Sequence, residues 1–144
     1  MERKEVSREN SRESYESFPL NSPESAKPNN WWEGIVVKNS AIPSLFSCFY
    51  PVRGITLWPF ILLSEGCDSE VIINHERIHI AQANETFVLG MYVVWLLDFG
   101  CGCIKHGDTK QAYMEIRLER EAFSHQHDPD YLRKRCAFAW ARQD

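Results

Sequence analysis

The run Ile73-Asn74-His75-Glu76-Arg77-Ile78-His79 places histidine, glutamate and histidine in the order H-E-x-x-H. On a helix, residues i and i+4 lie one turn apart on one face, so His75 and His79 can present their imidazole nitrogens to a single ion. Zinc accepts such nitrogens at about 2.0–2.1 Å. Glu76 sits about 100° further round the helix, too far to ligate but near enough to reach a metal-bound water and take its proton. The chemistry on offer is hydrolysis, with His75 and His79 on the metal and Glu76 as general base. The plain alternative is a helix that carries two ordinary histidines. With five histidines in 144 residues, the spacing is rare by chance in one chain but common across a proteome, so alone it is a hypothesis.

A catalytic zinc needs a third protein ligand and an open position. Glu85 lies six residues after His79. Gln82 in between gives no turn, so the helix runs on, and Glu85 then falls about 600° round and points away. The stretch "EIRLEREAF", 115–123, is the better source. Glu115 and Glu119 share a face with Leu118 and Ala122, whereas Glu121 is about 200° from Glu119. Glu119 and Glu121 therefore cannot both face one ion. Ala122 is small and would let this helix approach closely, which favours Glu119, with Glu121 second. The ordinary reading of such a run is a solvated charged face with i,i+4 pairs. In "HQHDPD", 125–130, His125 and His127 could approach the site and stabilise a transition state, or simply lie on the surface.

These residues need elements to hold them. "GIVVKN" reads as a short strand, and "NSAIPSLFSCFYPVRG" as a loop or hairpin connection because of Pro43, Pro51 and Gly54. "ITLWPFILL", 55–63, is apolar and rich in strand formers, with Pro59 at an edge position or bulge. After the turn "SEGCDSE", Asp68 or Ser69 can cap a helix over 70–84. Its one face carries Val71, His75, Ile78, His79 and Gln82. Phe87 to Leu97 is an unbroken apolar run of eleven residues. It is short for a membrane span and reads as a buried core helix, with membrane contact as the alternative. "KHGDTK" is a loop, 110–125 an amphipathic helix, and "YLRKRCAFAWAR" a last short helix beyond Pro129.

Composition frames the rest. Residues 1–30 are polar and charged with no apolar period, and read as a disordered tail that buries too little to offset its ordering entropy. Residues 31–144 form one domain with one modest core. Hydrophobic residues at 44% and charged residues at 25% fit a globular protein, and a net charge of −4 leaves no basic footprint for nucleic acid. The five cysteines lack zinc-ribbon spacing and read as free thiols. No apolar signal region opens the chain, so the expected location is cytoplasmic.

H-E-x-x-H followed by E-x-E-A resembles the gluzincin class of zinc metallopeptidases. In membrane-associated relatives the later motif is E-x-x-A-D, whose first glutamate is the third ligand. The resemblance implies Glu119 as ligand and Ala122 as the alanine. The aspartate position holds Phe123, so the outer carboxylate that would tune the metal is missing there. The chain is also similar to small bacterial proteins of gluzincin type, which run from an apolar strand through "INHERIH" to an aromatic apolar helix. They end in "EREAF" or "EREAY" and a basic-aromatic tail, and the likeness covers about residues 54–140.

The expected fold is α+β and mainly helical. A small β-hairpin or sheet precedes the HExxH helix, followed by an apolar helix and a Glu-bearing helix, a minimal gluzincin-like domain. The expected function is zinc-dependent hydrolysis of peptide bonds in a peptide or protein substrate, by a zinc-bound water that Glu76 activates, with His75, His79 and Glu119 holding Zn²⁺. The alternative is a non-catalytic zinc-binding structural or interaction module. Either is compatible with peripheral membrane contact through 86–104.

Overall fold

The computed structural model describes residues 32–47 and 52–142. The expected tail, 1–30, lies outside the described residues. The fold is mainly helical with a small three-stranded sheet ahead of the helices, the α+β architecture expected. The order is β1 (Ile35–Val37), α1 (Ile42–Phe46), β2 (Gly54–Leu57), β3 (Phe60–Leu63), α2 (Glu70–Glu85), α3 (Leu89–His106), α4 (Thr109–Glu115), α5 (Arg117–His125) and α6 (Tyr131–Lys134), then a 3₁₀ turn, Ala139–Arg142.

The sheet corrects one expectation. Residues 55–63 are a hairpin rather than a single strand. The chain reverses at Trp58-Pro59, whose peptide bond is cis, and Leu57 pairs antiparallel with Phe60. Proline has no amide to give to a ladder, so it sits in the turn instead of marking a bulge. β1 runs parallel to β3, the order is β1-β3-β2, and β2 is therefore an edge strand. The connection before it contains the short helix α1 in addition to loop.

Helix α2 begins where the sequence places it. The Ser69 hydroxyl accepts from the Ile72 amide at 3.4 Å, and Glu70 stands in the first turn, where the helix dipole favours it. α2 is the central element. Ile73 and Ile80 pack with Ile61 and Leu63 of β3, Ile78 and Ala81 with Ala122, Tyr131 and Leu132, and Ala83 with Met91, Ile116 and Leu118. It is thus enclosed on several sides, and polar residues that would be a solvated face elsewhere are buried.

The turn after α2 places Phe87 and Val88 at φ 53° and 64°, and α3 leaves at 110° to α2. Residues 87–97 are not a buried core helix. Met91 packs inward with Tyr92, Trp95 and Phe99 beside it. Leu89, Val93, Leu96, Leu97 and Ile104 form an exposed face, 55–89% accessible, and Phe87 precedes it at 91%. The core lies on one side of α3 only. No single described helix is long and apolar enough to cross a membrane.

The "KHGDTK" loop is shorter than expected. α3 runs to His106, Gly107 ends it in the left-handed region at φ 66°, and Asp108 caps α4 through the Lys110 amide at 3.0 Å. Helices α3 and α4 meet at Gly102, where a Cβ would lie 2.9 Å from the Ala112 Cα. The expected single helix over 110–125 is two. Ile116 takes an extended conformation (ψ 123°) with its side chain fully buried, and Asp98 accepts from the Arg117 amide at 3.2 Å. The break therefore keeps its hydrogen bonding, from a carboxylate one helix away. The segment after Pro129 likewise divides, into α6 and the 3₁₀ turn.

Candidate metal centre

His75 and His79 lie one turn apart on α2, and α5 brings Glu119 against them. The His75 and His79 Nε2 atoms are 3.2 Å apart, and Glu119 Oε2 lies 3.4 Å from the first and 3.5 Å from the second. A tetrahedral ion bonded at about 2.0–2.1 Å spaces its ligands about 3.3–3.4 Å apart. The triangle therefore fits such an ion without rearrangement. All three side chains are buried, and among the described residues they form the one group of this kind.

Each histidine is held through its other nitrogen, as metal-binding histidines are. Gln82 Oε1 lies 2.7 Å from His79 Nδ1, and Gln126 Oε1 lies 3.2 Å from His75 Nδ1. The Gln82 amide is not free to turn round. Its Nε2 donates to the Leu118 carbonyl and to Glu121 Oε2, both at 3.0 Å. Its oxygen must then accept, which puts a proton on His79 Nδ1 and leaves Nε2 facing His75 and Glu119.

Glu121, the second candidate ligand, points away from the triangle, as its 200° offset requires. It is fully buried, accepts from Tyr131 Oη at 2.9 Å and pairs with Arg135 Nε at 2.5 Å. Arg135 also pairs with Glu85, the remaining candidate. No carboxylate stands at the aspartate position, and the nearest counterpart comes from elsewhere on α5. Phe123 occupies the aspartate position and packs its ring 4.7 Å from His75, while Glu121 reaches His79 through Gln82. His125 stacks on Tyr131 with centroids 3.8 Å apart and does not join the ligands. His127 is exposed at the mouth of the adjoining cleft.

Glu119 is further fixed by Trp95 Nε1, which donates to Oε1 at 3.0 Å, and Tyr113 Oη, which donates to Oε2 at 2.9 Å. Burial alone would raise its pKa. The His79 charge and hydrogen bonds from both histidines outweigh burial and hold the carboxyl well below its usual range. Burial also disfavours a charged His79, but Glu119 beside it prevails and pushes the imidazole up to about 9.

Glu76 lies under β2. Thr56 Oγ1 is 2.7 Å from its Oε2, and a Cβ at Gly54 would come 2.8 Å from its Oε1. Gly54 is thus the residue that lets the strand rest on this carboxylate. Burial raises the Glu76 pKa, against the lowering effect of His79, His75 and the Thr56 hydrogen bond. An open cleft of ≈ 490 Å³ adjoins the group, with His75 at its edge, Val52 and Gly54 on one wall, and Tyr113, Phe123 and Gln126 on the other. Sequence reasoning missed Thr56, Gln126, Trp95, Tyr113 and Arg135, whose roles depend on contacts between distant segments. Gln82 had a signal, one turn beyond Ile78 and His79 on the same face. No protein-family model, curated protein or solved structure matches the chain.

Proposed function

We propose that this chain is a zinc-dependent hydrolase of peptide bonds, with His75, His79 and Glu119 as metal ligands and Glu76 as general base. The observation that carries the reading is the ligand triangle with edges of 3.2, 3.4 and 3.5 Å beside a buried carboxylate. Two imidazoles and a carboxylate suit zinc, and a site with only three protein ligands, one of which (His75) lines an open cleft, fits a catalytic centre better than a closed structural one. The gluzincin-like pattern of the sequence supports the same assignment.

Zinc, when bound, supplies a Lewis acid that polarises a carbonyl and acidifies water. The chain's own residues do the remainder. Glu76 takes a proton at Oε1, the oxygen that Thr56 does not hold, and passes it to the leaving amine. Thr56 keeps that carboxylate in one orientation, and Gln82 and Gln126 keep both imidazoles aimed. The edge strand β2 offers main-chain groups to a peptide substrate in the cleft.

Two measurements test this reading. Mass spectrometry should find near one zinc per chain, and Glu76→Gln should keep the metal and lose turnover. Zinc retained with no hydrolase activity in any form, and a large drop in melting temperature on chelation, would favour the alternative, a zinc-binding structural or interaction module.

The exposed apolar face of α3 supports a second property, peripheral contact with membranes. Leu89, Val93, Leu96, Leu97 and Ile104 present a continuous strip with Phe87 at its start, and such strips mark protein or lipid contact surfaces. Sedimentation with phospholipid vesicles tests it.

A further inference from the structure

An edge strand presents unpaired amides and carbonyls to any extended chain beside it. In β2 those groups come from alternate residues. The Ser64 amide donates to the Arg53 carbonyl at 3.0 Å, so Arg53 and Ser64 form a bonded pair, and Ile55 and Leu57 follow as the residues that bond to β3. Val52, Gly54 and Thr56 therefore turn their main-chain groups outward.

Two side-chain hydroxyls already bond to both ends of that edge. Ser47 Oγ accepts from the Val52 amide at 3.2 Å, and its one proton is shared between the Pro43 carbonyl at 3.0 Å and the Val52 carbonyl at 3.3 Å. Tyr92 Oη accepts from the Trp58 amide at 3.2 Å and donates to the Thr56 carbonyl at 3.4 Å. Between them the Gly54 amide and carbonyl are left, with the Thr56 amide. Outside the sheet, no described residue hydrogen-bonds to the Gly54 main chain. Gly54 is also the residue that rests on Glu76, and it borders the cleft that His75 lines.

Given the hydrolase reading above, on which this rests, we infer that the cleft engages its substrate through one main-chain pairing, at Gly54, and acts on short peptides rather than on extended segments of proteins. A ligand residue opposite Gly54 gains two hydrogen bonds. A residue further along in either direction meets a polar group that already has a partner. Displacing the Ser47 or Tyr92 hydroxyl forfeits about as much as the new bond gains, because one hydrogen bond is then exchanged for another. The cleft volume of ≈ 490 Å³ agrees, because pockets of about 300–1,000 Å³ enclose small ligands. Capping an edge also guards against pairing between copies of the chain, but that purpose alone would leave no gap at Gly54.

The test uses non-cleavable ligands on the zinc-loaded chain: a hydroxamate attached, at either end, to one, two, three or four alanine residues. Affinity is read by calorimetry. In one of the two series, the residue that reaches Gly54 should tighten binding about 10-fold, the worth of two hydrogen bonds. Further residues should add less than about 2-fold. N-methylation of the paired amide alone should lose the gain. Tyr92→Phe frees the Trp58 amide and the Thr56 carbonyl, and should turn the plateau into a series that rises with length. A steady rise with length in the unmodified chain would overturn the single-pairing inference while leaving the metal site standing. Bound zinc without affinity for any of these ligands would overturn it too. A chain that binds no zinc would remove the hydrolase reading and this inference together.

Discussion

Gln82 accepts a hydrogen bond from His79, with Oε1 2.7 Å from Nδ1, and it has no alternative orientation because its amide nitrogen faces two acceptors, Leu118 O and Glu121 Oε2. One glutamine thus ties His79, a proposed metal ligand, to a buried ion pair, Glu121–Arg135, that also holds the C-terminal segment. Gln82→Met should keep the helix but release the imidazole. Loss of such a partner weakens metal binding about 10–100-fold, which chelator competition will measure.

The two glutamates of the E-x-E motif should fail in different ways. Glu119→Ala removes the proposed third ligand, so zinc content should fall while the fold persists. Glu121→Ala leaves Arg135 buried with Glu85 alone, and breaking a buried pair costs about 3–5 kcal/mol. Denaturant unfolding of both variants beside metal analysis will separate them. Zinc lost in Glu121→Ala and kept in Glu119→Ala would reverse the ligand assignment.

Metal binding should be coupled to protons. His79 in the metal-free chain titrates at about 9, above its ordinary 6.5. A folded value above the unfolded one means that its charged form stabilises the metal-free fold fully below 6.5, and that this stabilisation is lost as pH rises through about 9. Zinc takes the neutral imidazole, so loading at about pH 7.5 should expel close to one proton from this residue. Affinity should rise with pH up to about 9. Calorimetry in buffers of different ionisation enthalpy will count the protons.

Gly54→Ala should impair the site out of proportion to its size. The new Cβ would lie 2.8 Å from Glu76 Oε1 and 3.1 Å from Leu63 Cδ2, so either the strand or the carboxylate must move. Overpacking of this kind costs about 1–3 kcal/mol. Turnover should drop along with thermal stability, whereas zinc content should not change.

Charges on the outer face of α3 should cost the fold little. Val93→Glu and Leu97→Glu alter side chains that are 55% and 62% exposed, and surface substitutions of this sort change stability by about 0.5 kcal/mol or less. If the face meets lipid, both variants should stop sedimenting with vesicles while melting as the parent does.

Local rules fixed a good part of this protein. The i,i+4 spacing put His75 and His79 on one face, Ser69 capped their helix, and the angular offset between Glu119 and Glu121 allowed only one of them to face the two histidines. All of these follow from backbone periodicity, which a sequence carries residue by residue. Contacts between distant segments decided the rest. The apolar run 87–97 looks the same whether both of its faces or only one is covered, and the core covers one. The helix over 110–125 breaks at Ile116 because Asp98, nineteen residues before Arg117, supplies the hydrogen bond that makes a break tolerable. Glu121 belongs to the buried ion pair because Arg135 and Gln82 converge on it from α2 and the C-terminal segment. Periodicity assigns a side chain to a face of its own helix, but only packing determines what that face meets.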